Sequence, residues 1–164
     1  MEIKVRKMNL SDVDAVHEID IKSITPSWPR QGFVEALQNE NAVFYVAEVC
    51  LGKDSKTESA GRKDVDASVM VVGYCGVYFA ADEGEITNVA VDPAWRKLGI
   101  ADKLLAVVLA NAKLSGCATI FLEVRESNLS AQRLYEKHGF ENMGLRKNFY
   151  REPQEHAVVM CCSL

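Results

Sequence analysis

The sequence predicts a mixed α/β fold, a twisted mixed sheet of about seven strands with about four helices on both of its faces. Three observations carry this. Short runs rich in β-branched and aromatic residues recur along the chain, from Ile3-Lys4-Val5 to His156–Ser163. Four segments between them place apolar residues at helical spacing. The stretch Gly84–Ser115 runs strand, tight turn, helix, and a further strand follows at Cys117–Arg125. A strand–helix–strand unit of this kind is right-handed and sets its two strands parallel.

In chain order, Met1–Met8 reads as an edge strand with Ile3 and Val5 on one face. Ser11-Asp12-Val13-Asp14 fits a capping box with Ser11 as N-cap. The helix it opens carries Val13, Val16 and Ile19 at steps of three and must end before Thr25-Pro26. Thr25-Pro26-Ser27-Trp28-Pro29 is a loop, in which Trp28 is either a lid that packs on substrate or a cap on the core. Arg30–Asn39 is a second helix with Phe33 and Leu37 inward, and Ala42–Leu51 is a strand. Gly52–Ser68 holds eight charged residues and almost nothing apolar. It reads as a mobile hairpin insertion within one domain spanning 1–164, because strand character resumes at Val69.

Val69–Ala80 is a long strand whose Gly73 and Gly76 predict a bulge or a close backbone approach. Ile86–Val91 is the next strand, Asp92-Pro93 a turn, and Gly99–Ser115 an apolar helix. Asn128 is an N-cap for a helix over Leu129–His138, and Gly139 ends that helix as a left-handed residue would. Phe140–Tyr150 and His156–Ser163 are the last two strands, joined by a turn around Pro153.

Composition narrows the function classes. The net charge is −4, which argues against a nucleic-acid partner and favours a cationic one. No apolar run reaches the roughly 20 residues of a membrane span. The first residues alternate charged and apolar types without a signal-peptide core, so a cytoplasmic location is expected. The five cysteines form no CxxC pair and read as reduced, buried, small apolar residues. A nucleophilic Cys117 is the sharper alternative, with no His or Asn beside it in sequence. No metal-ligand spacing is present, and no metal is expected.

The turn Arg96-Lys97-Leu98-Gly99-Ile100-Ala101 before a helix is a candidate anion site. The first backbone N–H groups of a helix lack intrahelical partners, and the macrodipole adds partial positive charge there. Gly99 lets the backbone come close to a ligand. An ordinary strand-to-helix turn explains the same residues. Glu123 is a carboxylate in the middle of an apolar strand, costly unless paired or working. It is either paired with Arg125 or water, or a general base whose raised pKa lets it take a proton from an amine. Tyr135 shares a helix face with Ala131, Leu134 and His138, and is either core packing or a proton donor.

Arg-x-x-Gly-x-Ala at 96–101 matches the acyl-CoA signature of the GNAT acetyltransferases. With it, in order, stand Glu85–Pro93, Phe121–Asn128, Leu134–Phe140 and Arg146–Tyr150. Together these resemble the RimI-type ribosomal-protein alanine N-acetyltransferases within GNAT, most closely over 69–163. The resemblance implies the GNAT fold and direct transfer of acetyl from acetyl-CoA to a peptide α-amine, with the N-terminal Ala of a small-subunit ribosomal protein as the acceptor it points to. By position, it implies that Val89, Ala90 and Val91 hold the pantetheine arm, with a bulge there aiming an N–H at the thioester oxygen. Arg96, Lys97, Leu98, Gly99, Ile100, Ala101 and Asp102 would hold the pyrophosphate, and Asn128 would contact CoA. Glu123 would be the base and Tyr135 the acid that protonates the leaving thiolate. Two features depart from the family pattern: the Arg151–Glu155 connection is short, and Phe149 stands where a Tyr is common. Both lie on the peptide side, so two other functions stay open: acetylation of a small amine, and acetyl-CoA binding without turnover.

Overall fold

The structure, a computed structural model, describes residues 1–51 and 68–164. The expected insertion therefore lies, Ser68 apart, outside the described residues. Among the described residues, seven strands form one sheet in the order β1-β2-β3-β4-β5-β7-β6. They are β1 (Glu2–Lys7), β2 (Ala42–Cys50), β3 (Val69–Ala80), β4 (Glu83–Val91), β5 (Thr119–Arg125), β6 (Glu141–Arg151) and β7 (Gln154–Ser163). The helices are α1 (Val13–Ser23), α2 (Arg30–Gln38), α3 (Ile100–Leu114) and α4 (Leu129–Lys137).

The pleat sends alternate residues to two cores. Phe44, Val46, Tyr74 and Ala90 pack with Val16, Ile19 and Phe33 under α1 and α2. Tyr45, Ala47, Cys75 and Val91 pack with Ile100, Leu104, Leu105 and Val108 under α3. The sheet is thus covered on both sides, as the near-continuous apolar runs of β2 and β3 require.

The first helix starts one cap earlier than its sequence suggests. Asn9, not Ser11, accepts from the Ser11 N–H, and Asp12 returns the bond to the Asn9 N–H, closing the capping box over a short 3-10 turn. Asn9 has the extended backbone an N-cap needs, whereas Ser11 already lies inside the turn. Asn128 caps α4 as expected, accepting from the Ala131 N–H at 3.2 Å. Gly139 follows with φ +90°.

Gly76 allows a close approach. A Cβ there would sit 2.4 Å from the Phe44 ring, which is buried and edge-on to Phe33 and Tyr78. Gly76→Ala should lower the urea midpoint by an amount equivalent to about 2 kcal/mol with the m-value unchanged. An unchanged midpoint would mean that the ring moves aside freely.

β4 and β5 are parallel, as expected, but they pair only over Glu83–Glu85 and Thr119–Phe121. Beyond Glu85 they diverge. Among the described residues the β5-facing edge of β4 from Ile86 to Val91 has no strand partner, and the sheet opens between the two strands at their carboxyl ends.

Candidate active site

Two cavities meet in that opening. The larger, about 580 Å³, is lined by Val89–Val91 of β4, by the turn at Arg96, Lys97 and Gly99, by the first residues of α3, and by Asn128 and Tyr135. The smaller, about 210 Å³, lies toward Glu123, Arg125, Thr25 and Tyr150. Val89, Asn128, Tyr135 and Ser23 line both.

The larger cavity has the build of a phosphate site. Lys97 (φ +63°) and Gly99 (φ +76°) both take left-handed backbone, which turns the chain sharply into α3. The first intrahelical bond is Lys103 N–H to Gly99 O, and no side chain caps the helix. The N–H groups of Ile100, Ala101 and Asp102 therefore have no intrahelical acceptor. Nothing lies within 4 Å of a Cβ on Gly99, so the turn is open to a ligand there. Arg96 Nε bonds the Val91 carbonyl at 3.2 Å, tying the turn to the end of β4. Lys137 and His138 bond the Asp102 carboxylate and hold it below the usual carboxylate range. That pairing offsets a negative charge that would otherwise oppose an anion. Leu98 alone of the run 96–102 is not among the lining side chains and points to solvent.

The bulge in β4 falls earlier than the resemblance suggests. Gly76 faces Asn88 and Val77 faces Ile86, so the extra residue is Thr87 rather than one of Val89–Val91. An extra residue reverses the pleat downstream. Ile86, Val89 and Val91 consequently pack on the α3 side, while Asn88 and Ala90 face α1 and α2. Asn88 was not singled out from sequence. It is 4% exposed, lines the smaller cavity, and its Oδ1 has no hydrogen-bond partner among the described residues.

Glu123 does not pair with Arg125. Arg146 on β6 bonds its Oε1 at 2.7 Å, across the intervening β7. The carboxylate is largely buried, and Glu85 of β4 lies on the same side. Burial, and then the Glu123 charge, push the Glu85 carboxyl upward, while Arg146 opposes the shift. Tyr135 is 8% exposed and packs on Phe140 at 5.7 Å between ring centroids. Burial raises its phenol pKa, so the hydroxyl keeps its proton at neutral pH. Tyr135 is thus at once a core residue and a wall of both cavities. Asn128 spends its Oδ1 on capping α4, which leaves its side-chain NH₂ as the group it could offer a ligand.

Sequence reasoning missed Tyr150 and Thr25, which line only the smaller cavity. Burial pushes the Tyr150 phenol up to about 12, against the pull of the Arg125 guanidinium 4.2 Å over its ring. Trp28 is a core cap: its ring centroid is 5.5 Å from Phe33 and 6.1 Å from Phe44. Its backbone N–H donates to buried Asp20, which also accepts from the Tyr74 hydroxyl. Cys117 is buried, which raises its thiol pKa, and its Sγ bonds the Thr119 carbonyl, so it is no thiolate nucleophile.

A sheet split between two parallel strands, with an uncapped helix start beside the split, agrees with the sequence comparison. Residues 13–140 match the acetyltransferase (GNAT) family, and the chain belongs to that family. A Bacillus subtilis (strain 168) relative, provisionally named a ribosomal protein bS18-alanine N-acetyltransferase, is 34% identical over 95% of this chain and 92% of its own. Among solved structures, the ribosomal-protein-S18-alanine N-acetyltransferase of Escherichia coli superposes with TM-score 0.79 at 24% identity, over 99% of this chain and 94% of that one. The NatC complex bound to Gag peptide and CoA has a chain that superposes with TM-score 0.78 at 20% identity, over 100% of this chain and 99% of that one. At these identities the two structures speak for the fold.

Proposed function

We propose that the protein moves an acetyl group from acetyl-CoA to the N-terminal α-amine of a protein, with the N-terminal alanine of a small-subunit ribosomal protein as its target. The observation that carries this reading is the opening between β4 and β5. Its larger chamber has the uncapped start of α3 for a pyrophosphate, its smaller chamber has Glu123, and Tyr135 stands where the two meet. The names of the relatives supply the acceptor.

Bound acetyl-CoA supplies an activated thioester carbonyl. The residues of this chain do the rest. The N–H groups of Ile100, Ala101 and Asp102, with Lys97 and Arg96 beside them, hold the pyrophosphate. Leu98 takes part only through its backbone. The unpartnered edge of β4 at Val89–Val91 holds the pantetheine arm as a neighbouring strand would, and Asn128 bonds it from α4. Glu123 accepts the proton that the acceptor ammonium loses, directly or through water. The Tyr135 hydroxyl donates its proton to the sulfur that leaves and regains one from solvent. No covalent bond to the enzyme forms. An α-amine has a pKa about 2.5 units below that of lysine, worth about 3 kcal/mol, so a modest base favours an N-terminus over a lysine.

The test is thiol release from acetyl-CoA with short peptides beginning Ala, Ser or Met, an N-acetylated Ala peptide, and a peptide whose only amine is lysine. Turnover of the free Ala peptide, absent on its acetylated form, is the expected result. Turnover of polyamines or amino acids with every peptide inert would replace the reading with a small-amine acetyltransferase. The two-residue link between Arg151 and Gln154, which leaves little chain to cover a peptide, is the feature that would favour that alternative. Binding of acetyl-CoA with no acceptor at all would leave only a binding protein.

A further inference from the structure

The end of β5 carries a cation that the proposed chemistry does not use. Arg125 is one-fifth exposed, and its two terminal nitrogens reach four acceptors. Nη2 donates to the carbonyls of Thr25 (3.0 Å) and Glu152 (2.9 Å). Nη1 donates to the carbonyl of Pro153 (2.9 Å) and, more loosely, to Glu155 Oε2 (3.4 Å). The face of the guanidinium lies over the Tyr150 ring at 4.2 Å. Two terminal nitrogens bear four N–H groups, so all four of these are used. Three of the four acceptors are backbone carbonyls, which lysine's compact ammonium could not span together.

Those carbonyls belong to two connections far apart in sequence, the α1–α2 loop and the β6–β7 turn. The α1–α2 loop is anchored at its ends by Ile24 and Trp28, but Thr25, Pro26 and Ser27 between them are exposed, as are Glu152 and Pro153 of the β6–β7 turn. Arg125 is where the two are joined to each other and to the strand that bears Glu123. What it holds is also selective. Thr25 and Tyr150 line the smaller, acceptor-side cavity and not the larger one. We infer that Arg125 is a positioning residue for acceptor specificity: it builds the acceptor groove from the α1–α2 loop, the β6–β7 turn and Tyr150, and leaves the acetyl-CoA chamber to other residues. The inference rests on the acceptor-side reading of the smaller cavity given above.

The experiment compares wild type with Arg125→Met, which keeps the stem of the side chain, and Arg125→Lys, which keeps the charge. Amide hydrogen exchange, followed by mass spectrometry without any acceptor, should quicken in segments 24–28 and 150–155 in both variants, with α3 and β1–β3 unchanged. With an Ala peptide, KM for the peptide should rise on the order of 10-fold or more in both, because misplaced groove walls act on the acceptor, while acetyl-CoA affinity stays as in wild type. Unchanged exchange in the two segments would overturn the inference. So would a loss of acetyl-CoA affinity that matches the rise in peptide KM, or full rescue by lysine. A wild type inert on every peptide would refute the proposed function, and the exchange result would still decide whether Arg125 holds the groove.

Discussion

Glu123→Gln should lower kcat for an Ala peptide on the order of 10²- to 10³-fold, with acetyl-CoA binding unchanged. The substitution suits the site. Glutamine keeps an oxygen for the 2.7 Å bond from Arg146, so β5 and β6 stay joined and only the basic carboxylate is lost. Removing the charge also relieves Glu85, whose carboxyl is pushed upward first by burial and then by Glu123. If Glu85 then served in place of Glu123, the double variant Glu85→Gln/Glu123→Gln would fall well below the single one. Tyr135→Phe provides the matching loss on the leaving-group side, without a change in the ring packing on Phe140. Turnover of Glu123→Gln within a few-fold of wild type would remove Glu123 as the base. The α-amine, with a pKa near 8, would then be entering already deprotonated.

What was legible in the sequence was local. The strand runs, the cap at Asn128, the left-handed Gly139 and the turn into α3 each depend on residues within a few positions of one another. Their chemistry is set by backbone geometry, so they read well. The placement of the candidate anion turn was legible to the same extent: every residue of the 96–102 run but Leu98 lines the larger cavity. The rest depends on sheet order, which spacing does not encode. Glu123 meets Arg146 because β7 inserts between β5 and β6. Arg125 meets Thr25 across 100 positions, since the α1–α2 loop folds back over the end of β5. The bulge at Thr87 rather than at Val89–Val91 follows from Gly76 facing Asn88 across the ladder, a register no single strand reveals. Spacing along the chain accordingly finds the charged residue at 123 and offers Arg125 or water as its partner, but it does not find Arg146.

Arg6→Met should cost about 3–5 kcal/mol of stability at pH 7. Arg6 on β1 grips Asp12 with both terminal nitrogens, at 2.7 and 2.8 Å, and donates its Nε to Glu48 at 2.7 Å. Asp12 is 5% and Glu48 9% exposed. The arginine stem can be replaced, but the variant would leave two buried carboxylates without a counter-charge. It would also loosen the capping box of the 3-10 turn that leads into α1. The pH dependence distinguishes this from lost packing. Burial pushes the Asp12 carboxyl upward, but the bonds from Arg6 and from the Asn9 N–H outweigh it and hold the group below its ordinary value. A carboxyl depressed on folding stabilises the native state above its unfolded pKa, and that contribution fades as pH falls through the folded value. In Arg6→Met burial would act with less opposition, and the carboxyl would rise. The gap between wild type and variant, read from urea midpoints, should therefore be widest near neutral pH and shrink below about pH 4. A gap of the same size at pH 3.5 and pH 7 would assign the loss to packing of the arginine stem and not to the ion pairs.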